Sequence, residues 1–160
     1  IRNHGLVNRD FCKVFGYNSR LDSIQAIVAT FLMKKKLSNI TKKRISNAHK
    51  YDTLLKNNPN IILNKRNKQM KEVFHLYQIK AKKRNELKKF LIKNNVDAKV
   101  HYPIPIHLQK SSKYLGYKKG DFPVAEDISK KILSLPVHEF INDKEIKYVT
   151  DLINKFYNKK

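Results

Sequence analysis

The stretch Glu72-Val73-Phe74-His75-Leu76-Tyr77-Gln78-Ile79-Lys80 decides how the chain folds, because the hydrophobic period changes there. Upstream, apolar residues recur at helical spacing. Here β-branched and aromatic side chains crowd into a run with a strand's alternation. Val73, Tyr77 and Ile79 share one face with His75, while Phe74 and Leu76 lie on the other, so the strand is expected to be covered on both sides. His75, in the middle of that run, reads as a core histidine rather than a ligand.

Toward the N-terminus, Asp22 and Gln25 have capping-box form. Ile24, Ile27, Val28, Phe31 and Leu32 then follow i, i+3, i+4, i+7, i+8 spacing, and Lys34 to Lys36 suit the negative end of a helix dipole. Leu37, Ile40, Arg44, Ala48, Tyr51 and Leu55 continue at helical spacing until Asn57-Asn58-Pro59-Asn60 breaks the pattern. Two consecutive helices or one bent helix are expected here.

Toward the C-terminus, Ile61 to Leu63 is a short apolar run, and residues 83–94 return to helix with Leu87, Phe90 and Leu91 inward. Val96, Ala98, Val100 and Tyr102 alternate as a strand that Pro103 and Pro105 end. Asp121 is placed as the cap of a helix with Pro123 in its first turn. Ser134 to Val137 is extended, and Asn142 with Glu145 opens a last helix carrying Ile146, Val149, Ile153 and Phe156. The resulting order is helix, helix, strand, strand, helix, strand, helix, helix. This is an α+β fold: long helices followed by a small mixed or antiparallel sheet flanked by helices.

The 160 residues carry 35 Lys+Arg against 13 Asp+Glu, a formal charge of +22. Such a balance raises nucleic-acid binding as one function class. Against it, 29 of the cations are Lys and 6 are Arg, although Arg is the residue suited to bidentate phosphate and base recognition. The charges are also dispersed over every element, and Lys, Asn and Ile together fill 61 of the 160 positions, a compositional bias rather than a footprint. No apolar run reaches the roughly 18 residues of a membrane span. The single Cys12 excludes a disulfide framework and fits a reducing compartment.

Gly5, Gly16, Gly116 and Gly120 fit no dinucleotide or P-loop fingerprint, Cys12 lacks a partner at zinc-ligand spacing, and no nucleophile elbow occurs. No metal site and no self-contained catalytic centre are expected. Two segments stand out. Asn18, Ser19 and Arg20 sit immediately before a helix start, where backbone amides and the dipole suit a phosphate; capping by Asp22 and Ser19 accounts for the same residues equally well. His101-Tyr102-Pro103-Ile104-Pro105-Ile106-His107 is a proline-stiffened loop after a strand, a common position for binding groups, though a packed Tyr102 and surface histidines would explain it too.

Ile1-Arg2-Asn3-His4-Gly5, the string GYNSRLDSIQA (16–26), Arg44 and Tyr51, VFHLYQIK (73–80), VHYPIPIHLQ (100–109), GDFPVAE (120–126) and LSLPVH (133–138) together resemble the DegT/DnrJ/StrS nucleotide-sugar aminotransferases. The blocks occur in the family's order and cover nearly all of the chain. The resemblance implies the C-terminal part of a fold-type-I transferase that uses pyridoxal 5'-phosphate to aminate a nucleotide-diphosphate-linked keto sugar, with glutamate as the usual amino-acid donor. It implies a cytoplasmic homodimer with shared active sites and no role for nucleic acid or membrane. Residues 1–58 would be the end of the large domain with the inter-domain helices, and residues 59–160 the small C-terminal domain.

By the same resemblance, Asn18 matches an asparagine that reaches the cofactor phosphate of the partner subunit, and Arg20 an arginine lining that shared site near the substrate. His101 and Tyr102 match positions on the loop facing the sugar nucleotide, with His107 a further position on it. None of the lysines stands in the family's Schiff-base context. The chain is therefore expected to hold no catalytic residue, to begin inside a longer protein and to be inactive by itself. Two alternatives stay open at this point: a basic nucleic-acid-binding domain, and a related pyridoxal-phosphate-dependent sugar dehydratase with histidine in place of the lysine.

Overall fold

The computed structural model describes Tyr17, residues 21–67 and residues 69–158. The chain divides into two compact units, Ile1–Asn39 and Ile40–Lys160. In the first, helix α1 (Ser23–Lys35) begins where its sequence says: the Asp22 carboxylate accepts the Gln25 N–H at 2.9 Å. Its apolar side chains Ile24, Ile27, Val28, Phe31 and Leu32 are all exposed. Ala26, Ala29 and Met33 carry the apolar surface beyond that face.

Helix α2 (Leu37–Leu55) is separate from α1 and ends at the predicted breaker. Ala48, Tyr51 and Leu55 are fully buried in the core of the second unit. There a three-stranded antiparallel sheet, in the order β1-β2-β3, comprises β1 (Ile61–Leu63), β2 (Tyr77–Ala81) and β3 (Ile132–Leu135). Helix α3 (Arg84–Lys93) packs on β2, β3 and α5, and helix α4 (Pro123–Lys131) packs on β2. Helix α5 (Asp143–Asn158) opens on the predicted capping box, with Asn142 and Glu145 each accepting the other's N–H at 3.0 and 2.8 Å. Tyr77, Ile79, Leu87, Leu91, Leu133, Ile146 and Ile153 complete the core, each buried aliphatic side chain contributing about 1.5–3 kcal/mol relative to exposure.

Several expectations need correction. The strand expected over 72–80 starts only at Tyr77, because Phe74 adopts a left-handed φ of 51° and the Phe74 and His75 carbonyls accept from Arg44 instead of a ladder partner. His75 is consequently exposed and no core histidine. The strand expected over 96–102 is reduced to one bridge, Lys99 with Ser134, since the Val96 N–H closes onto Leu91 and the Ala98 N–H onto Val96. The third strand is instead the 132–135 segment, after α4. Asp121 does not cap α4: its carboxylate accepts the Lys118 N–H at 2.8 Å, and Phe122 occupies the cap position.

A charged knot fixes the start of β2 against α2. Arg66 holds Asp52 with two nitrogens at 3.0 and 3.1 Å, and the Tyr77 hydroxyl donates to the same carboxylate at 2.8 Å. Tyr51 stacks on Tyr77 at 4.9 Å between ring centres. Burial, aided by the bond to Asp52, pushes the Tyr77 phenol well above its ordinary pKa.

Candidate functional site

The knot places β2 so that Gln78 and the neighbouring Ser134 of β3 face the segment after the bridge at Lys99. Gln78 Nε2 donates to the His101 carbonyl at 3.1 Å, and His101 Nδ1 lies 2.9 Å from Ser134 Oγ, one donating and the other accepting. The imidazole is thereby tied to the sheet, and no partner for its Nε2 is found among the described residues. Tyr102 lies edge-on to that ring at 5.8 Å and is 75% exposed, its hydroxyl also unpartnered among the described residues. One hydrogen-bonding atom on each side chain thus remains available to a ligand.

Pro103 and Pro105 carry the chain stiffly into a 3-10 turn at Ile106–Leu108. His107 points inward from it, buried, with Nε2 3.1 Å from Glu126 Oε1 and its ring 4.8 Å from that of Phe122. The Gly120 N–H donates to the same Glu126 oxygen at 2.7 Å. Gly120 has φ of 102°, which lets the chain turn into that bond where a side-chain-bearing residue would be strained. The Gly120 amide, with the His107 imidazole behind it, holds the Glu126 carboxyl below the usual carboxylate range.

The loop and α4 enclose a cavity of about 580 Å³ lined mainly by apolar and aromatic side chains, among them Tyr102, Pro105, Tyr117 and Phe122. That volume lies within the range of small-ligand sites. His101 also borders a smaller cavity of about 270 Å³ on its other side, with Arg44, Lys99, Asp97 and His138 around it.

Of the residues singled out from sequence, His101, Tyr102 and His107 come together around one cavity, the first two open to it and the third engaged with Glu126. Asn18 and Arg20 lie outside the described residues. Ser134, Gln78, Gly120 and Glu126 were missed as site residues. Glu126 left a signal, since an acid in the first turn of an apolar-faced helix, six residues after a glycine, sits within the GDFPVAE block. Ser134 and Gln78 left none, because their roles depend on which strand pairs with β2. No helix among the described residues is long and apolar enough to cross a membrane, and no group of metal-ligating side chains is found among them.

Known proteins share this sequence pattern and fold. The sequence matches the DegT/DnrJ/EryC1/StrS aminotransferase family over residues 1–154. It is 37% identical over 98% of its length to the pleiotropic regulatory protein of Geobacillus stearothermophilus, covering 42% of that protein. It is 30% identical over 98% of its length to the dTDP-3-amino-3,6-dideoxy-alpha-D-galactopyranose transaminase of Aneurinibacillus thermoaerophilus, again covering 42%. The fold superposes on the crystal structure of DesV from S. venezuelae with a TM-score of 0.90 at 28% identity, over 99% of this chain and 43% of that one. The chain thus spans about two fifths of the length of the relatives it matches. With both the sequence pattern and the fold shared along nearly its whole length, the chain belongs to the DegT/DnrJ/EryC1/StrS aminotransferase family.

Proposed function

We propose that this chain is the C-terminal portion of a pyridoxal-phosphate-dependent aminotransferase that aminates a keto sugar carried on a nucleoside diphosphate, with glutamate as donor. The observation that carries the reading is the family pattern over residues 1–154, joined to a loop that offers His101 and Tyr102 beside a ligand-sized cavity. The transaminases among its relatives favour amination over the dehydratase alternative. The cofactor, when bound, supplies the electron sink that lets an amino group leave one carbon and join another. The donor set fits it: an Asn18 amide and an Arg20 guanidinium are groups that suit a phosphate, and both stand just before the helix start that Asp22 caps.

In this reading Asn18 reaches the phosphate held by the partner subunit of a cytoplasmic homodimer, and Arg20 lines the same shared site. His101 and Tyr102 orient the sugar nucleotide, which the stiff loop does at low entropic cost. The Schiff-base lysine comes from sequence outside these 160 residues, so the chain alone would not turn over. Residues 1–58 then supply the end of the large domain and the inter-domain helices, and residues 59–160 form the small C-terminal domain. The full-length protein, purified with its cofactor, is expected to absorb at the edge of the visible range, to lose that absorbance on adding glutamate and to regain it with a nucleotide keto sugar. Absence of the absorbance would overturn the proposal.

A further inference from the structure

Glu126 is a carboxylate with an unusual set of partners. It is buried on the first turn of α4, yet its ion-pair partner among the described residues is an imidazole rather than a lysine or arginine. Both bonds converge on one oxygen: Oε1 accepts the Gly120 N–H at 2.7 Å and faces His107 Nε2 at 3.1 Å. Phe122 covers the His107 ring, and Tyr117 meets Phe122 edge-on at 5.1 Å. A single atom on α4 therefore gathers the turn ending at Gly120 and the 3-10 turn at Ile106–Leu108.

Between His107 and the exposed pair His101 and Tyr102 the chain has little freedom. Pro103 and Pro105 fix two of the intervening φ angles, the Leu108 N–H returns to the Pro105 carbonyl at 3.0 Å, and Gln109 Nε2 returns to the Ile104 carbonyl at 3.3 Å. One end of the loop is anchored to β3 through Ser134 and the other to α4 through Glu126. A stiff segment pinned at both ends transmits its anchor positions to whatever it carries.

We propose that Glu126 is a positioning residue for the substrate-facing loop, its Oε1 holding His107 and Gly120 together and so fixing where His101 and Tyr102 stand. The proposal rests on the aminotransferase reading above. His107, buried with its Nε2 engaged, serves as the handle by which the loop is held and not as a group that touches substrate.

The test uses the full-length holoenzyme. Glu126→Gln retains an oxygen that can accept from both Gly120 and His107, whereas Glu126→Ala retains none. Glu126→Ala is expected to raise KM for the nucleotide keto sugar about tenfold or more while leaving the half-reaction with glutamate within about twofold of wild type. Glu126→Gln is expected to restore KM to near the wild-type value. Equal damage to both half-reactions, no effect of Glu126→Ala, or a Glu126→Gln as impaired as Glu126→Ala would each overturn the proposal. Should Glu126→Ala fail to fold, Glu126→Asp, one methylene shorter, carries the same comparison. Hydrogen exchange of the Leu108 and Gln109 amides supplies a readout without activity: it should accelerate with Ala and not with Gln. If the wild type shows no transamination but exchange follows this order, the aminotransferase reading fails and the clamp stands. Unchanged exchange with Ala removes the clamp whatever the activity.

Discussion

His101 Nδ1 lies 2.9 Å from Ser134 Oγ, so a loop residue of the candidate site is registered against β3 by a side chain. Ser134 is buried and also lies within 3.4 Å of Gln78 Nε2. Removing its hydroxyl leaves the imidazole without its anchor. Ser134→Ala in the full-length enzyme should cost about 1 kcal/mol in stability and raise KM for the keto sugar several-fold with a smaller change in kcat. Steady-state kinetics and denaturant unfolding read the two effects separately, and an unchanged KM would count against His101 as a substrate-orienting group.

Gly120 offers a cleaner backbone test. A Cβ added there would meet nothing within 4 Å, so any penalty is conformational and comes from φ of 102°. Gly120→Ala should therefore destabilise by about 1–3 kcal/mol without a packing clash. Chemical denaturation measures this, and a variant as stable as wild type would mean that the turn can relax.

Acid should weaken the structure through Glu126. Its folded pKa lies below the ordinary value of 4.5, so the folded carboxylate binds a proton less readily than the unfolded chain does. Its contribution to stability is complete above pH 4.5 and is lost as pH falls through the lowered folded value. Thermal unfolding followed from about pH 6 to pH 3 should show a falling midpoint, and Glu126→Gln should flatten that part of the curve. Parallel curves for the two proteins would remove this assignment.

Packing should discriminate sharply between two isoleucines of adjacent strands. Ile79 of β2 is wholly buried, while Ile62 of β1 is 58% exposed. Ile79→Ala is expected to cost about 2–5 kcal/mol, and Ile62→Ala about 0.5 kcal/mol or less. Equal effects in urea titrations would contradict the sheet register, which pairs Ile79 with Leu63 and Leu133.

The apolar surface of α1 carries an expectation about solution behaviour. With Ile24, Ile27, Phe31 and Met33 all exposed, the 160-residue chain by itself should self-associate as its concentration rises. Light scattering would show this, and Ile27→Lys should reduce it. A monodisperse monomer at high concentration would contradict it.

What could be read from sequence followed the strength of local signals. The helices were legible because Asp22, Asn142 and Glu145 have local capping roles and because Leu87, Leu91, Ile146 and Ile153 repeat at helical spacing. The sheet was only half legible. The alternation of Val96, Ala98 and Val100 is as good as that of any strand, but backbone bonds to Leu91 and Val96 consume the amides a ladder would need. Phe74 interrupts an apparently continuous strand because Arg44, thirty residues earlier, captures its carbonyl. The loop histidines were visible as residue types, but not the division of labour between them. That depends on Ser134 and Glu126, which approach from 33 and 19 residues away.

The sheet's connectivity also bears on how the chain acquires its shape during synthesis. β1 and β2 pair across a short separation, Ile61 with Ala81, whereas β2 must wait for Leu135 to reach Tyr77. Until β3 and then α5 leave the ribosome, α2 supplies only part of the cover that β2 and α3 need, and the β1–β2 pair alone is marginal in water. A nascent chain halted before Ile132 should accordingly remain open to protease in this region, and one halted once α5 has emerged should resist it there. Closure of this core is thus gated by α5, the last of its helices among the described residues, and truncation before Asp143 would uncover far more than the helix it removes.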